Sequence, residues 1–395
     1  MPLSALRTRL LPLLPRLGVT RLADVTGLDV IGLPVVQAVR PGSRSLSVAQ
    51  GKGTTREAAE VSAIMEAAEG FHAERIRLSL RLAPYAELRR ERSCLDVFDL
   101  PIERGKRADP WADELWIEGI ELFEAAEGQP CNVPYDLVHT NYTLAHNARA
   151  TRFYRSTSGM AAGVDRSRVL THAICEVVER DAAVLFELSP QERRAARKID
   201  PASVRAPDCA ELLGRIVQAG LTCGIWALWH ESGLPVIRCV IAGDLPGVGG
   251  GEGFVAGGYG CAPDRDTALL RAIGEAAQSR LTGIAGSRDD LARDEFLHRQ
   301  RQDVRARVTA EAAAPGRLDF QAVPTCPETE PEAQYRAVRA ALQQAGFVSA
   351  VAVDLSRPEI GLVVLRVVMP GMDCSVSAGD CAPTARLTQR RERMP

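Results

Sequence analysis

The chain has 395 residues, 46% apolar and 25% charged, and its 48 basic and 50 acidic side chains leave a formal net charge of −2. Such a composition belongs to an ordinary globular protein with length enough for a large core, and it gives no basis for a nucleic-acid or anionic-membrane partner. Ten cysteines without a CxxC pair exclude a zinc ribbon, a dithiol motif and a disulfide scaffold; no stretch approaches the roughly 20 apolar residues of a membrane span, and no secretory leader is legible, so the expected location is the cytoplasm.

Residues 1–44 read as an N-terminal segment, Leu-rich at first and broken by Pro12 and Pro15, then carrying a strand over 30–39 that Gly32 and Pro34 interrupt. One folded domain is expected over 45–375. It begins with a short strand at 45–48 and the turn Gly51-Lys52-Gly53-Thr54-Thr55, which enters a helix with Thr54 or Thr55 as N-cap and Glu57 in the first turn. Glycines before a helix can cradle phosphate on exposed N–H groups, or can simply make the turn. Loop is expected over 99–116, strand over 116–120, and further sheet at 133–135. The small-residue run 155–163 precedes a helix over 166–188 whose apolar stripe is Val169, Ala173, Val177 and Leu185. A helix follows at 202–219, then strands at 222–229 and 236–242. Glycine dominates 243–260, without Walker or dinucleotide spacing, so a glycine-containing strand over 253–260 leading into a helix at 264–281 is the better reading. Charged helical sequence over 288–313, loop over 315–332, a helix at 334–345 and strands at 348–355 and 361–368 close the domain. Residues 376–395 lose periodicity and gather Arg386, Arg390, Arg391 and Arg393; disorder or partner contact is expected there. Strands alternate with helices without a steady βαβ rhythm, which points to an α+β (mixed α/β) fold with mixed or antiparallel sheets.

Three of these helices share one side-chain geometry: Ser62…Glu66…Glu69, His172…Glu176…Glu179 and Arg271…Glu275…Gln278. Positions i, i+4 and i+7 fall on one stripe, and Ala, Ile, Val and Met cover the flanks. Rows of like charge repel unless a cation sits among them. Five carboxylates, Glu66, Glu69, Glu176, Glu179 and Glu275, suit hard cations such as Mg²⁺, which takes oxygen ligands and bridges to substrate phosphates. A nucleotide follows as a hypothesis: Gln278 can bond it without adding charge, and Arg180, Arg271 and Arg280 offer guanidinium forks for phosphate. Against this stands the plain alternative that a single Glu-x-x-Glu is a solvated helix face. His172 heads its stripe as a ligand contact or an ordinary helix-start histidine, Ser158 and Ser156 are caps or phosphate contacts, and Cys175 lies off the stripe as core.

Ser62-xxx-Glu66-xx-Glu69, Ala173-Ile-Cys-Glu176-Val-Val-Glu179-Arg180-Asp181 and Arg271-Ala-Ile-Gly-Glu275-Ala-Ala-Gln278-Ser-Arg280 together resemble the YcaO family. Gly51-Lys-Gly53, Trp116-Ile-Glu-Gly119, Val133-Pro-Tyr135, Arg357-Pro-Glu-Ile-Gly361 and Pro370-Gly371 extend the likeness over roughly 50–371. The resemblance implies a YcaO-type catalytic domain over 45–375 that uses ATP and Mg²⁺ to activate backbone amides of a ribosomally made precursor peptide or protein. A nucleophile adds to the amide carbon and the amide oxygen leaves as phosphate; a Cys, Ser or Thr side chain gives an azoline, and external sulfide gives a thioamide. It also implies Ser62, Ser158, His172, Arg180, Arg271, Gln278 and Arg280 as nucleotide contacts and the five glutamates as metal ligands. Three positions depart from the family pattern. Glu69 is followed by Gly70 rather than Arg, Ser158 stands where Asn is usual, and the chain ends Arg390-Arg-Glu-Arg-Met-Pro395 instead of in a proline-rich tail. The ending, with Ala285-Gly-Ser-Arg288-Asp-Asp290, looks more like members that work with a TfuA partner and a sulfide source. The expected activity is thioamide formation; the alternatives are an azoline-forming cyclodehydratase and a degenerate, non-catalytic peptide-binding scaffold. Neither nucleic acid nor membrane is expected as partner, and a homodimer is the default oligomer.

Overall fold

A computed structural model describes residues 1–123, 126–143, 151–244, 254–288 and 302–372, with Cys381, Ala382, Thr384, Arg386, Leu387, Gln389 and Arg390. In chain order the elements are α1 (Leu3–Leu10), β1 (Arg21–Asp24), β2 (Val35–Val39), β3 (Val48–Lys52), α2 (Arg56–Ala73), β4 (Leu80–Pro84), α3 (Tyr85–Glu91), β5 (Asp113–Glu121), β6 (Pro130–Pro134), β7 (Met160–Gly163) and α4 (Arg166–Glu187). They continue through α5 (Gln191–Ala196), α6 (Pro207–Gln218), β8 (Thr222–Leu228), β9 (Val236–Gly243), β10 (Phe254–Cys261), α7 (Arg265–Ala285), α8 (Gln302–Ala313), α9 (Pro331–Gln344), β11 (Val351–Asp354) and β12 (Val363–Val368). The mixed helix and antiparallel-sheet architecture agrees with the expected fold class. The chain divides into two compact units, Met1–Ala67 with Pro190–Trp229 and Pro235–Cys326, and Ala68–Ser189 with His230–Leu234 and Pro327–Pro395. Among the described residues no helix is long and apolar enough to cross a membrane.

The first unit holds two antiparallel three-stranded sheets, ordered β1-β2-β3 and β10-β9-β8. Because β2 pairs with β3 in the register Val36↔Gly51, the expected boundary at residue 44 does not separate a domain. The first sheet also shifts the expected strand at 45–48 to Val48–Lys52, so Gly51-Lys52 is sheet rather than helix-entry turn. Glycine is needed at 51 for close approach: a Cβ there would lie 2.0 Å from the Ala63 backbone nitrogen. Thr55 Oγ1 accepts from the Ala58 N–H at 3.2 Å and starts α2, as its sequence implies. On α6, Cys209, Leu212, Leu213 and Ile216 form a stripe that joins Ile225, Ile237, Ile241, Ala272, Ile273 and Phe320 in the unit's core. Asp264 caps α7 through the Thr267 N–H at 2.8 Å, and Gly286 ends it at φ 58°. The glycines at 245–253 and the charged stretch 289–301 lie outside the described residues.

The second unit is built on a six-stranded antiparallel sheet, ordered β4-β5-β11-β12-β7, with β6 on the other edge of β5. β5 pairs with β4 through Asp113–Ile117 and with β11 through Ile120 and Glu121. Trp116 is buried there, its indole N–H donating to Ala83 O at 2.9 Å. Helix α4 packs on β7 and β12 with Ala173, Ile174, Val178 and Ala182 buried. Its cap is Asp165, which accepts from the Arg168 N–H at 2.9 Å. Ser158, expected as a cap, instead lies in the turn before β7. In the tail, where disorder or partner contact is expected, Leu387 and Arg390 are buried and Arg386 is hydrogen-bonded within the unit. Arg391 and Arg393 lie outside the described residues.

Candidate functional site

All three acidic segments are helical, so the stripes read from sequence exist as helix faces. In the first unit the α7 stripe meets β3. Lys52 Nζ donates to Gln278 Oε1 at 2.9 Å and lies 4.0 Å from Glu275, while Gln278 Nε2 donates to Gln50 O at 2.6 Å. Arg271 donates to Cys261 O at 2.8 Å, at the end of β10. A cation, two amides and a carboxylate therefore share one partly exposed face, on which an anionic ligand finds donors and a hard cation finds oxygen. Ser62 is half-buried and Glu66 exposed on α2. Lys52 was visible in the sequence only as part of a glycine turn, and its strand position is what aims it at α7.

Arg280 takes a different place. Its side chain is fully buried, with Nε donating to both Asp29 oxygens at 3.0 Å and Nη1 to Gly243 O at 3.1 Å and Phe254 O at 3.3 Å. The structure thus places Arg280 as a core tether, where the expectation had a phosphate fork. Arg271 and Gln278 precede it by nine and two positions, so they fall on other faces of the same helix.

In the second unit, Glu69 Oε1 accepts the Ala162 backbone N–H of β7 at 2.8 Å. The α4 stripe runs from exposed His172 through half-buried Glu176 to Glu179, which is 7% exposed, and Arg180 lies 3.6 Å from Glu179. Arg180 and Ser158 line one cleft with Ser156, Tyr154, Val177 and Arg366. Arg366 is a buried arginine within the apolar strand β12, and it donates to Ser156 O at 3.0 Å. A lone basic residue in the run Val363-Val-Leu-Arg366-Val-Val368 was the available signal for it. The cleft thus combines two guanidiniums, hydroxyls and apolar walls, a lining that suits an anionic ligand with an apolar part.

Each unit taken by itself offers groups of the kind Mg²⁺ and a nucleotide use: Glu66 and Glu275 as hard oxygen ligands with Lys52 and Arg271 as cations in the first, and Glu69, Glu176 and Glu179 with Arg180 in the second. Among the described residues a separate group, Asp181, His230 and Glu231, has the spacing of metal ligands. Arg386 and Arg390 already occupy those carboxylates.

Residues 50–373 match the family model described as YcaO cyclodehydratase, ATP- and Mg²⁺-binding. A protein of Rhizobium leguminosarum bv. trifolii, described as an uncharacterized protein in the tfuA 3′ region, is 35% identical over 381 residues, covering 93% of this chain and 86% of its own. The structure of YcaO from Methanopyrus kandleri bound with AMPPCP and Mg²⁺ superposes with a TM-score of 0.71 at 23% identity, over 95% of this chain and 91% of that one. A heterocyclase in complex with substrate and cofactor gives a TM-score of 0.72 at 20% identity over 90% of this chain, which spans 50% of that protein. At these identities the two structures establish the fold.

Proposed function

Since the chain belongs to the YcaO family, described as ATP- and Mg²⁺-binding, we propose that it activates a backbone amide of a ribosomally made peptide or protein and, with sulfide, converts it to a thioamide. The observation that carries the choice of sulfide is the 35% identical relative from a tfuA 3′ region. A TfuA-like partner supplying sulfide follows from it. ATP, when bound, supplies the phosphoryl group that lets the amide oxygen leave as phosphate; sulfide donates the new C–S bond, and the products are the thioamide, ADP and phosphate.

The chain's own residues have distinct parts in this reading. Glu66 and Glu275 in the first unit, and Glu69, Glu176 and Glu179 in the second, would hold Mg²⁺, whose role is to neutralise phosphate charge. Lys52, Arg180 and Arg271 bind phosphate oxygens, and Gln278, Ser62, Ser158 and His172 orient the nucleotide. The apolar walls beside Arg180 keep bulk water from the activated amide, which would otherwise hydrolyse. A second reading, azoline formation from Cys, Ser or Thr, is favoured by the description of the family model itself, cyclodehydratase.

Mass spectrometry of a precursor peptide treated with protein, Mg²⁺, ATP and sulfide separates the two. Exchange of one oxygen for sulfur supports thioamidation, loss of one water supports azoline formation, and an unmodified peptide with ATP consumed rejects both nucleophiles. For the site, Glu179→Gln is expected to lower peptide-dependent ATP turnover by about 10²-fold or more, as for loss of one electrostatic contact to a reacting group. Full turnover in that variant would remove Glu179 from the site.

A further inference from the structure

Asp181 follows Glu179 and Arg180 on α4, and its side chain is fully buried. An isolated carboxylate in such a place would be neutralised or turned outward. Here it is met from three directions. His230 Nε2 lies 3.1 Å from Oδ2, Arg390 Nη1 donates to Oδ2 at 2.6 Å, and Arg386 donates to both oxygens at 3.3 Å. Glu231 accepts from Arg386 at 2.9 Å and also from Arg390. The Ser232 N–H donates to His230 Nδ1 at 3.1 Å, which leaves the ring proton on Nε2, facing Asp181, and the imidazole neutral. Two carboxylates then face two guanidiniums, and the cluster's charge closes without a metal.

The arginines are anchored in turn. Arg386 donates to Gly371 O at 3.0 Å, just beyond β12, and lies 4.2 Å over the Phe347 ring, while Leu387 beside it is 2% exposed. This part of the tail is built into the unit by charge, stacking and apolar burial together.

We infer that Arg386 and Arg390 are positioning residues for the α4 part of the nucleotide site: by compensating buried Asp181 they hold the helical turn that presents Glu179 and Arg180. The inference rests on the ATP-site reading above for its effect on ligand binding. Without the two guanidiniums Asp181 is a buried carboxylate whose charge partners are gone, and the turn that carries it must shift toward water. Rotation of α4 toward solvent would carry Glu179 and Arg180 with it, since all three residues lie within one turn.

The test uses the full-length protein and three measurements. In R386Q/R390Q, calorimetric affinity for Mg²⁺-ATP is expected to fall at least tenfold, and hydrogen exchange at α4 amides 176–181 in the nucleotide-free protein to rise at least tenfold. R390K should retain more affinity than R390Q. In a D181N background, where the buried carboxylate is gone, adding R386Q/R390Q should change affinity less than twofold. A double variant with wild-type affinity and wild-type α4 exchange overturns the inference. So does one whose unfolding midpoint drops while the folded protein keeps its affinity, because a purely structural tail would do that. If the wild type binds no Mg²⁺-ATP, the nucleotide reading fails separately, and α4 exchange alone decides the tail's role: unchanged exchange rejects it.

Discussion

Replacing Gly258 by alanine adds one methyl group between β10 and α7, where there is no space for it. The new Cβ would stand 2.2 Å from Ala276 N and 2.6 Å from both Ala272 O and the Glu275 carbonyl carbon. Ordinary contact begins at 3.4 Å, so the helix must retreat by about 1.2 Å, the difference between 3.4 and 2.2. All three obstructing atoms are helix backbone, which no rotamer change can move. Overpacking of this kind costs about 1–3 kcal/mol. The retreat also draws Glu275 and Gln278 away from Lys52 on β3, stretching the 2.9 Å bond of Lys52 to Gln278. A misplacement near 1 Å at a reacting site lowers rate by about 10²-fold. Gly258→Ala is therefore expected to lose about 2 kcal/mol in urea unfolding and about 10²-fold in peptide-dependent phosphate release at a temperature where it remains folded. Gly257→Ala is the internal control, because its Cβ meets only Cys239 O at 3.9 Å. Equal stability and turnover in the two variants would refute the argument that close packing of α7 sets the Lys52 geometry.

Two further predictions address buried charge. Asp29→Ala strands the Arg280 guanidinium in the core and is expected to cost about 3–5 kcal/mol in denaturant unfolding, while Mg²⁺-ATP affinity of the folded protein stays within twofold; a selective loss of affinity would return Arg280 to the nucleotide. His230 has its titration lowered from 6.5 because burial outweighs the hydrogen bond and charge of Asp181. The unfolded chain then binds the extra proton first, so stability is intact above about pH 6.5 and declines as pH falls below it toward the lower folded value. Unfolding midpoints followed from pH 7.5 to 5.5 should fall more steeply in the wild type than in His230→Gln, and parallel slopes would reject the neutral, buried assignment.

Long periodic elements are legible in the amino-acid order. The helices bearing Glu66, Glu176 and Glu275 lie where the apolar spacing puts them, and strands 222–229 and 236–242 match β8 and β9 within a residue or so. Missed elements have physical causes. β4 carries Leu80, Arg81 and Leu82 exposed, so it lacks the alternation of a half-buried strand, and its existence depends on pairing with β5. Gly51-Lys52 resembles a turn by composition, but its glycine answers a backbone 12 residues away, a demand of packing that local preference does not encode.

By itself the sequence determined the three acidic rows, because a helix repeats every 3.6 residues wherever it lies and positions i, i+4 and i+7 must share a face. It determined the family as well, through residues spread over most of the chain. Which polar groups turn inward was decided only by tertiary structure. Arg280 and Arg180 are equally plausible phosphate forks in a string of letters, yet the first is closed by Asp29, 251 positions away, while the second lines a cleft. Asp181 likewise depends on arginines more than 200 positions later. Burial and charge compensation are set by partners distant in sequence, and periodicity carries no record of them.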